Sequence, residues 1–178
     1  MVTFAGVDHV SLTVSDLDAS QRFYTSVLDF VLVLDVGYGR ILMHPSTGFT
    51  LSVMKHDEAC GGAFTELTTG LDHLGLTAAS RADLEEWERR FDALGVTYTP
   101  IRDMELGFHL NSRDPDNMAL ELSAPNEHLV AAKKALAEGQ TSQADIDAFV
   151  DEHEPPAGGQ ELTLRPPPSV GIRPRLVQ

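Results

Sequence analysis

One eight-residue pattern occurs twice in this chain. Val7-Asp8-His9-Val10-Ser11-Leu12-Thr13-Val14 alternates apolar and polar side chains with the period-2 rhythm of a half-buried strand. Leu71-Asp72-His73-Leu74-Gly75-Leu76-Thr77-Ala78 repeats it, with Asp-His at the same place. Each copy leads into a helical pattern. Ser15 or Asp16 can cap the first helix, whose apolar stripe is Phe23, Tyr24, Val27 and Leu28. Ser80 and Asp83 have capping-box spacing for the second, with Leu84, Trp87, Phe91 and Leu94 as its stripe. Gly95 suits the left-handed residue that ends a helix. Self-similarity of this kind marks one supersecondary unit used twice.

Strand-like segments follow each helix. They are Phe30 to Val36, Arg40 to His44 and Phe49 to Met54 in the first copy, and Thr97 to Ile101, Gly107 to Ser112 and Ala119 to Ser123 in the second. Asp114-Pro115-Asp116-Asn117 is a turn signal before the last strand. The expected class is therefore α+β. Two tandem βαβββ modules, at about 5–65 and 70–125, form a curved mixed sheet around one cleft, with helices outside. This domain is expected to span 1–125. C-terminal helices are expected over 126–153, from an Ala/Leu-rich run at Asn126 to Glu138 and a segment capped by Thr141 or Ser142 and reaching Val150. The Pro/Gly-rich stretch 154–178 contains Pro166-Pro167-Pro168 and reads as an extended tail.

The bulk properties exclude some partners. A formal net charge of −14 argues against nucleic acid and against an anionic membrane surface. No apolar run approaches the roughly 18 residues that a spanning helix needs. Met1-Val2-Thr3-Phe4 lacks a basic n-region, and Cys60 is the only cysteine, so a reducing, cytoplasmic setting is expected. Cys60 has no catalytic partner nearby in sequence, and no phosphate loop or dinucleotide fingerprint is present.

Strand parity places the chemistry. If Val10, Leu12 and Val14 face a helix, then His9, Ser11 and Thr13 face the cleft. The same parity sends His73, Gly75 and Thr77, and Ala119, Glu121 and Ser123, to the cleft side. A lone Asp-His in a strand is usually a hydrogen-bonded histidine, and a lone Glu a solvated one. Here both histidines fall at one phase of two matching strands, and Glu121 shares their face. Two imidazoles and a carboxylate on one side of an ion leave positions open for substrate, water or dioxygen.

On these residues the chain resembles the vicinal oxygen chelate superfamily, which includes glyoxalase I, methylmalonyl-CoA epimerase, fosfomycin- and bleomycin-resistance proteins and extradiol dioxygenases. The resemblance covers roughly residues 5–125. It rests on Asp8-His9-Val10, on Asp16-Leu17-Asp18-Ala19-Ser20 leading to Phe23-Tyr24 and Leu28, on Leu71-Asp72-His73-Leu74-Gly75, and on Arg113-Asp114-Pro115-Asp116-Asn117-Met118-Ala119-Leu120-Glu121-Leu122. It implies metal ligands on the first and last strands of each module, hence His9, His73 and Glu121. The remaining ligand place falls near Phe49-Thr50-Leu51-Ser52, where parity offers only Thr50 and Ser52. Glyoxalase and epimerase types usually carry Glu, Gln or His there. The three-ligand His-His-Glu set resembles that of iron(II) extradiol dioxygenases.

The resemblance implies one divalent metal, with Fe(II) favoured and Mn, Zn, Ni or Co as alternatives, a small-molecule substrate and a homodimer. An extradiol-type dioxygenase acting on a catechol-like molecule is the first expectation. The alternatives are a glyoxalase- or epimerase-type lyase or isomerase, and a non-catalytic antibiotic-binding protein. Asn111 stands where the extradiol pattern has Tyr, and with Thr50 and Ser52 it is a candidate for lining the substrate pocket. His109 shares its parity and is a candidate acid–base group, although a half-exposed strand histidine is the simpler reading.

Overall fold

The structure, a computed structural model, describes residues 6–59, 61–104, 106–145 and 148. The first module runs β1 (His9–Thr13), α1 (Leu17–Val27), β2 (Val31–Asp35), β3 (Gly39–Met43) and β4 (Thr50–Met54). The second runs β5 (Leu74–Thr77), α2 (Arg81–Leu94), β6 (Arg102–Met104), β7 (Gly107–Arg113) and β8 (Ala119–Pro125), and α3 (Glu127–Ala137) follows. Each module makes its own four-stranded sheet, ordered β1-β4-β3-β2 and β5-β8-β7-β6. In both, the first strand runs parallel to the last and the other pairs are antiparallel. A parallel pair needs a crossover connection, and in each module the helix begins it.

Alternation sorts each sheet into two faces. Leu12, Leu42, Leu51 and Val53 are buried with Tyr24 and Val27 of α1. Leu110, Leu120, Leu122 and Ala124 are buried with Leu84 and Phe91 of α2. Each large apolar side chain so buried contributes about 1.5–3 kcal/mol, and together they outweigh any single cap at about 1 kcal/mol. The caps set where the helices begin. Asp16 accepts from Asp18 N and Ala19 N at 2.8 and 2.9 Å. Ser80 Oγ accepts from Asp83 N at 3.2 Å, and Gly95 closes α2 with φ 68°. Asn126 caps α3 through Leu129 N at 3.0 Å.

Two strand expectations are corrected. Residues 97–101 do not form a strand; Tyr98 makes one isolated bridge to Ser112, and the paired strand is β6, further along. Pro100 has no N–H to donate, which interrupts a ladder there. The second repeat strand begins at Leu74, so His73 stands immediately before it. The helix expected from Thr141 or Ser142 opens with a reciprocal Ser142–Asp145 cap, Asp145 N to Ser142 Oγ at 3.2 Å and Ser142 N to Asp145 Oδ2 at 2.8 Å. Most of its remainder, the tail and Cys60 lie outside the described residues.

The modules meet through their helices and one turn. Arg90 of α2 grips Asp29 with two hydrogen bonds of 2.6 Å and donates to Ser26 O at 3.0 Å. The turn at Asp114 reaches α1: Ser15 N donates to Asp116 Oδ2 at 3.1 Å, and the buried Tyr24 hydroxyl donates to Asp114 Oδ2 at 2.9 Å. Asp114 Oδ1 accepts from Asp116 N and Met118 N at 2.9 and 2.8 Å, which shapes the turn. Among the described residues, no strand of one sheet is hydrogen-bonded to a strand of the other.

Burial, and then the Asp114 carboxylate, push the Tyr24 hydroxyl well above 10.0. The folded state thus favours the protonated phenol. The stability this supplies is complete below pH 10 and declines as pH rises through the raised value. Tyr24→Phe is expected to cost about 1–3 kcal/mol at neutral pH, because Asp114 loses a donor in a buried place. It should also make the alkaline loss of stability shallower. Urea unfolding at pH 7 and above pH 10 measures both; unchanged stability with an unchanged alkaline slope would contradict the assignment.

Candidate metal centre

The parallel pairing of first with last strand builds the site. In the second module Gly75 pairs with Glu121, and Asn111 pairs with Glu121 from the other side. His73 precedes β5, and its Nε2 lies 3.9 Å from Glu121 Oε1. In the first module His9 pairs with Thr50 and Ser11 with Ser52, so Thr50 and Ser52 stand level with the first-strand polar residues as parity requires. Ser11, Thr13, Gly75 and Thr77 are exposed on these polar faces, whereas Ser52 is buried.

Each histidine is oriented by the residue before it. His9 Nδ1 lies 2.7 Å from Asp8 Oδ2, and His73 Nδ1 lies 2.6 Å from Asp72 Oδ1. An ionised carboxylate only accepts, so in each pair Nδ1 carries the proton. A neutral ring then presents Nε2 as a bare lone pair. Carboxylate–imidazole pairs of this type orient histidines that ligate metals.

Two of the three expected ligands stand close enough to share one ion. Two donors bound at roughly 2.1 Å to one ion can stand at most about 4.2 Å apart, and His73 Nε2 and Glu121 Oε1 fall within that limit. His9 does not complete the set within one chain: among the described residues no group of three or more His, Cys, Asp or Glu side chains is arranged to hold a metal ion.

His109 has a partner that the sequence did not indicate. Its Nδ1 lies 2.9 Å from Glu121 Oε2, with side-chain exposures of 28% and 18% for the two groups. Asp8 and Asp72 were also missed as orienting groups, although the repeated Asp-His dipeptide was a usable signal. His109 is harder to see in advance, because its partner lies on the neighbouring strand.

A sequence profile described as Glyoxalase/Bleomycin resistance protein/Dioxygenase superfamily matches residues 6–122. The chain belongs to this superfamily. Among solved structures, a glyoxylase/bleomycin resistance protein/dioxygenase domain from Frankia sp. EAN1pec is 35% identical, with TM-score 0.63, covering 70% of this chain and all (100%) of that one. Fosfomycin resistance protein FosX from Listeria monocytogenes, complexed with Mn(II) and 1S,2S-dihydroxypropylphosphonic acid, is 23% identical with TM-score 0.57, covering 71% of this chain and 95% of that one. FosX from Mesorhizobium loti is 20% identical with TM-score 0.54, covering 71% and 97%. At those two identities the likeness is one of fold. No curated protein matches the sequence. Among the described residues of this superfamily member, no helix is long and apolar enough to cross a membrane.

Asp8→Asn and Asp72→Asn are each expected to weaken divalent-metal binding by about 10–100-fold, because the imidazole loses its orienting acceptor. Isothermal titration of metal-free protein with Mn(II) measures this. Wild-type affinity in both variants would show that the carboxylates do not prepare these rings.

Proposed function

We propose that this chain is a divalent-metal-dependent enzyme acting on a small molecule with two neighbouring oxygen atoms, the metal being held by His9, His73 and Glu121. The observation that carries this reading is the pair of Asp-anchored imidazoles at matching places of the two modules, one of them beside Glu121. Since His9 stands apart within one chain, the reading includes a homodimer. In it, β1 of one copy lies along β5 of another, and His9 from the first meets His73 and Glu121 of the second. Both strands are sheet edges, and an edge strand presents unpaired N–H and C=O groups for such an addition.

When bound, the ion supplies Lewis-acid polarisation of substrate oxygens and, as Fe(II), a position for dioxygen. The protein's own part is to hold and orient. Thr50 stands beside His9 without adding a carboxylate or imidazole, which keeps the ligand set at three. Thr50, Ser52 and Asn111 offer hydroxyl and amide groups that hydrogen-bond a polar substrate. Fe(II) and extradiol-type cleavage of a catechol-like substrate come first in this reading, because a three-ligand set leaves room for a bidentate substrate and dioxygen together.

A second reading is a redox-neutral reaction supported by Mn(II) or a related ion. It is favoured by Asn111 standing level with Glu121, where ring cleavage calls for Tyr, and by the engagement of His109 Nδ1 with Glu121. The FosX neighbour that holds Mn(II) and a dihydroxypropylphosphonate supports the same direction.

Oxygen-electrode assays of Fe(II)-loaded protein with a catechol panel separate the two readings. Uptake that is lost in Glu121→Ala supports the oxygenase. No uptake, with Mn(II)-dependent opening of an epoxide such as fosfomycin, replaces it with the second. Subunit mixing tests the shared site. His9→Ala and Glu121→Ala should each be inactive alone. Co-refolded in equal amounts, they should regain about one quarter of the wild-type activity, since each mixed dimer keeps one intact site. No recovery, despite mixed dimers seen by native mass spectrometry, would place the site within a single chain.

A further inference from the structure

We infer that Val31, Leu34, Ile41 and Met43 form an apolar wall for the aromatic body of the substrate, on the same face of the first sheet as His9. This rests on the small-molecule reading above and narrows its substrate class: an oxygen-bearing head joined to a body of one or two aromatic rings.

The register lays this face out in rows. His9 pairs with Thr50, Thr50 with Met43, and Met43 with Val31, so the four side chains lie on one face in a line across the sheet. The next row runs Ser11, Ser52, Ile41 and Leu34. Each row is polar on β1 and β4 and apolar on β3 and β2. The matching rows of the second sheet differ in chemistry. There Arg113 stands at the place of Met43, and Asn111 at the place of Ile41. Met54 extends the apolar side. It pairs with Gly39, and a Cβ at Gly39 would overlap Met54 Sδ and Cε, so the Met54 side chain lies across the glycine.

The wall is open. Val31, Leu34 and Met43 are 50%, 49% and 39% exposed, whereas Leu42 and Leu51 on the opposite face are fully buried. A patch of this kind, on the order of a few hundred Å², falls short of the roughly 800 Å² that each partner buries in a stable protein interface. The irregularity between Leu32 and Leu34 also makes β2 a poor template for a further strand. A small ligand fits the area better. Neighbouring strands lie about 4.8 Å apart, so a head held at β1 and β4 leaves about 10 Å of apolar face across β3 and β2, room for one or two rings. Met43 and Met54 favour an aromatic body, because thioethers adapt to its shape and attract its ring edges.

The test uses the full chain with isotope-labelled methionine methyl groups, titrated with catechol and with biphenyl-2,3-diol and followed by NMR. The two probes share the dihydroxy head and differ by one ring. The biphenyl compound is expected to bind about 10-fold more tightly, the gain from covering one ring face. It should shift the Met43 and Met54 methyl signals and leave that of the buried Met118 in place. Leu34→Ser and Met43→Arg should each reduce the preference to within about threefold, with catechol binding unchanged. Leu67→Ser alters an exposed leucine outside both sheets and should keep the full preference. If Met43→Arg fails to fold, Leu34→Ser on the edge strand carries the same expectation. A preference retained in both variants would overturn the inference. So would Met43 and Met54 signals that move on dilution with no probe present, which would give the face to a second copy. Failure of both probes to bind, to metal-free or Zn(II)-loaded protein, sinks the small-molecule reading and this inference together. Equal binding of both sinks this inference alone.

Discussion

The parallel pairing of each module's first strand with its last is the constraint on which the rest depends. It sets Gly75 against Glu121 and His9 against Thr50, so residues far apart in the chain share a row of one polar face. Backbone hydrogen bonds fix that row, and alternation fixes which side chains share it. A shift of one residue in the β5–β8 register would turn Glu121 into the apolar layer occupied by Leu120 and Leu122. The burial of those leucines therefore protects the polar site as well as the core.

The same architecture divides the work between modules. The second brings His73, Glu121 and His109 together, while the first offers His9 with Thr50 and Ser52. Contacts between the modules of one chain are made by α1, α2 and the turn at Asp114, and among the described residues the sheet edges β1 and β5 pair with nothing beyond their own sheets. The proposed site shared between two copies requires a junction of this kind, which leaves β1 and β5 at the edges of their sheets. The edge strand β2 likewise leaves Val31, Val33 and Leu34 exposed among the described residues.

Much of this was legible in the sequence because period and capping are local. The Asp-His repeat marked the two modules. Asp16, Ser80 and Gly95 marked the helix ends, and alternation separated Leu120 and Leu122 from Glu121. What was not legible depends on relations across the chain. The spacing of residues 97–101 resembles a strand, yet Pro100 and the pairing partner moved the strand to Arg102. His109 could be assigned to a face but not to a neighbour, because its approach to Glu121 follows from the β7–β8 register. That His9, His73 and Glu121 form no three-membered group among the described residues of one chain is likewise a relation across the two modules, which neither periodicity nor spacing encodes.

Anomalous diffraction from crystals of the full chain grown with Mn(II) tests the central claim most directly. The account predicts one peak per site, ligated by His73 Nε2 and Glu121 Oε1 of one copy and by His9 Nε2 of another, with Asp8 and Asp72 still bonded to their rings. A bound ion that leaves His9 uncoordinated, or a peak away from Glu121, would contradict it.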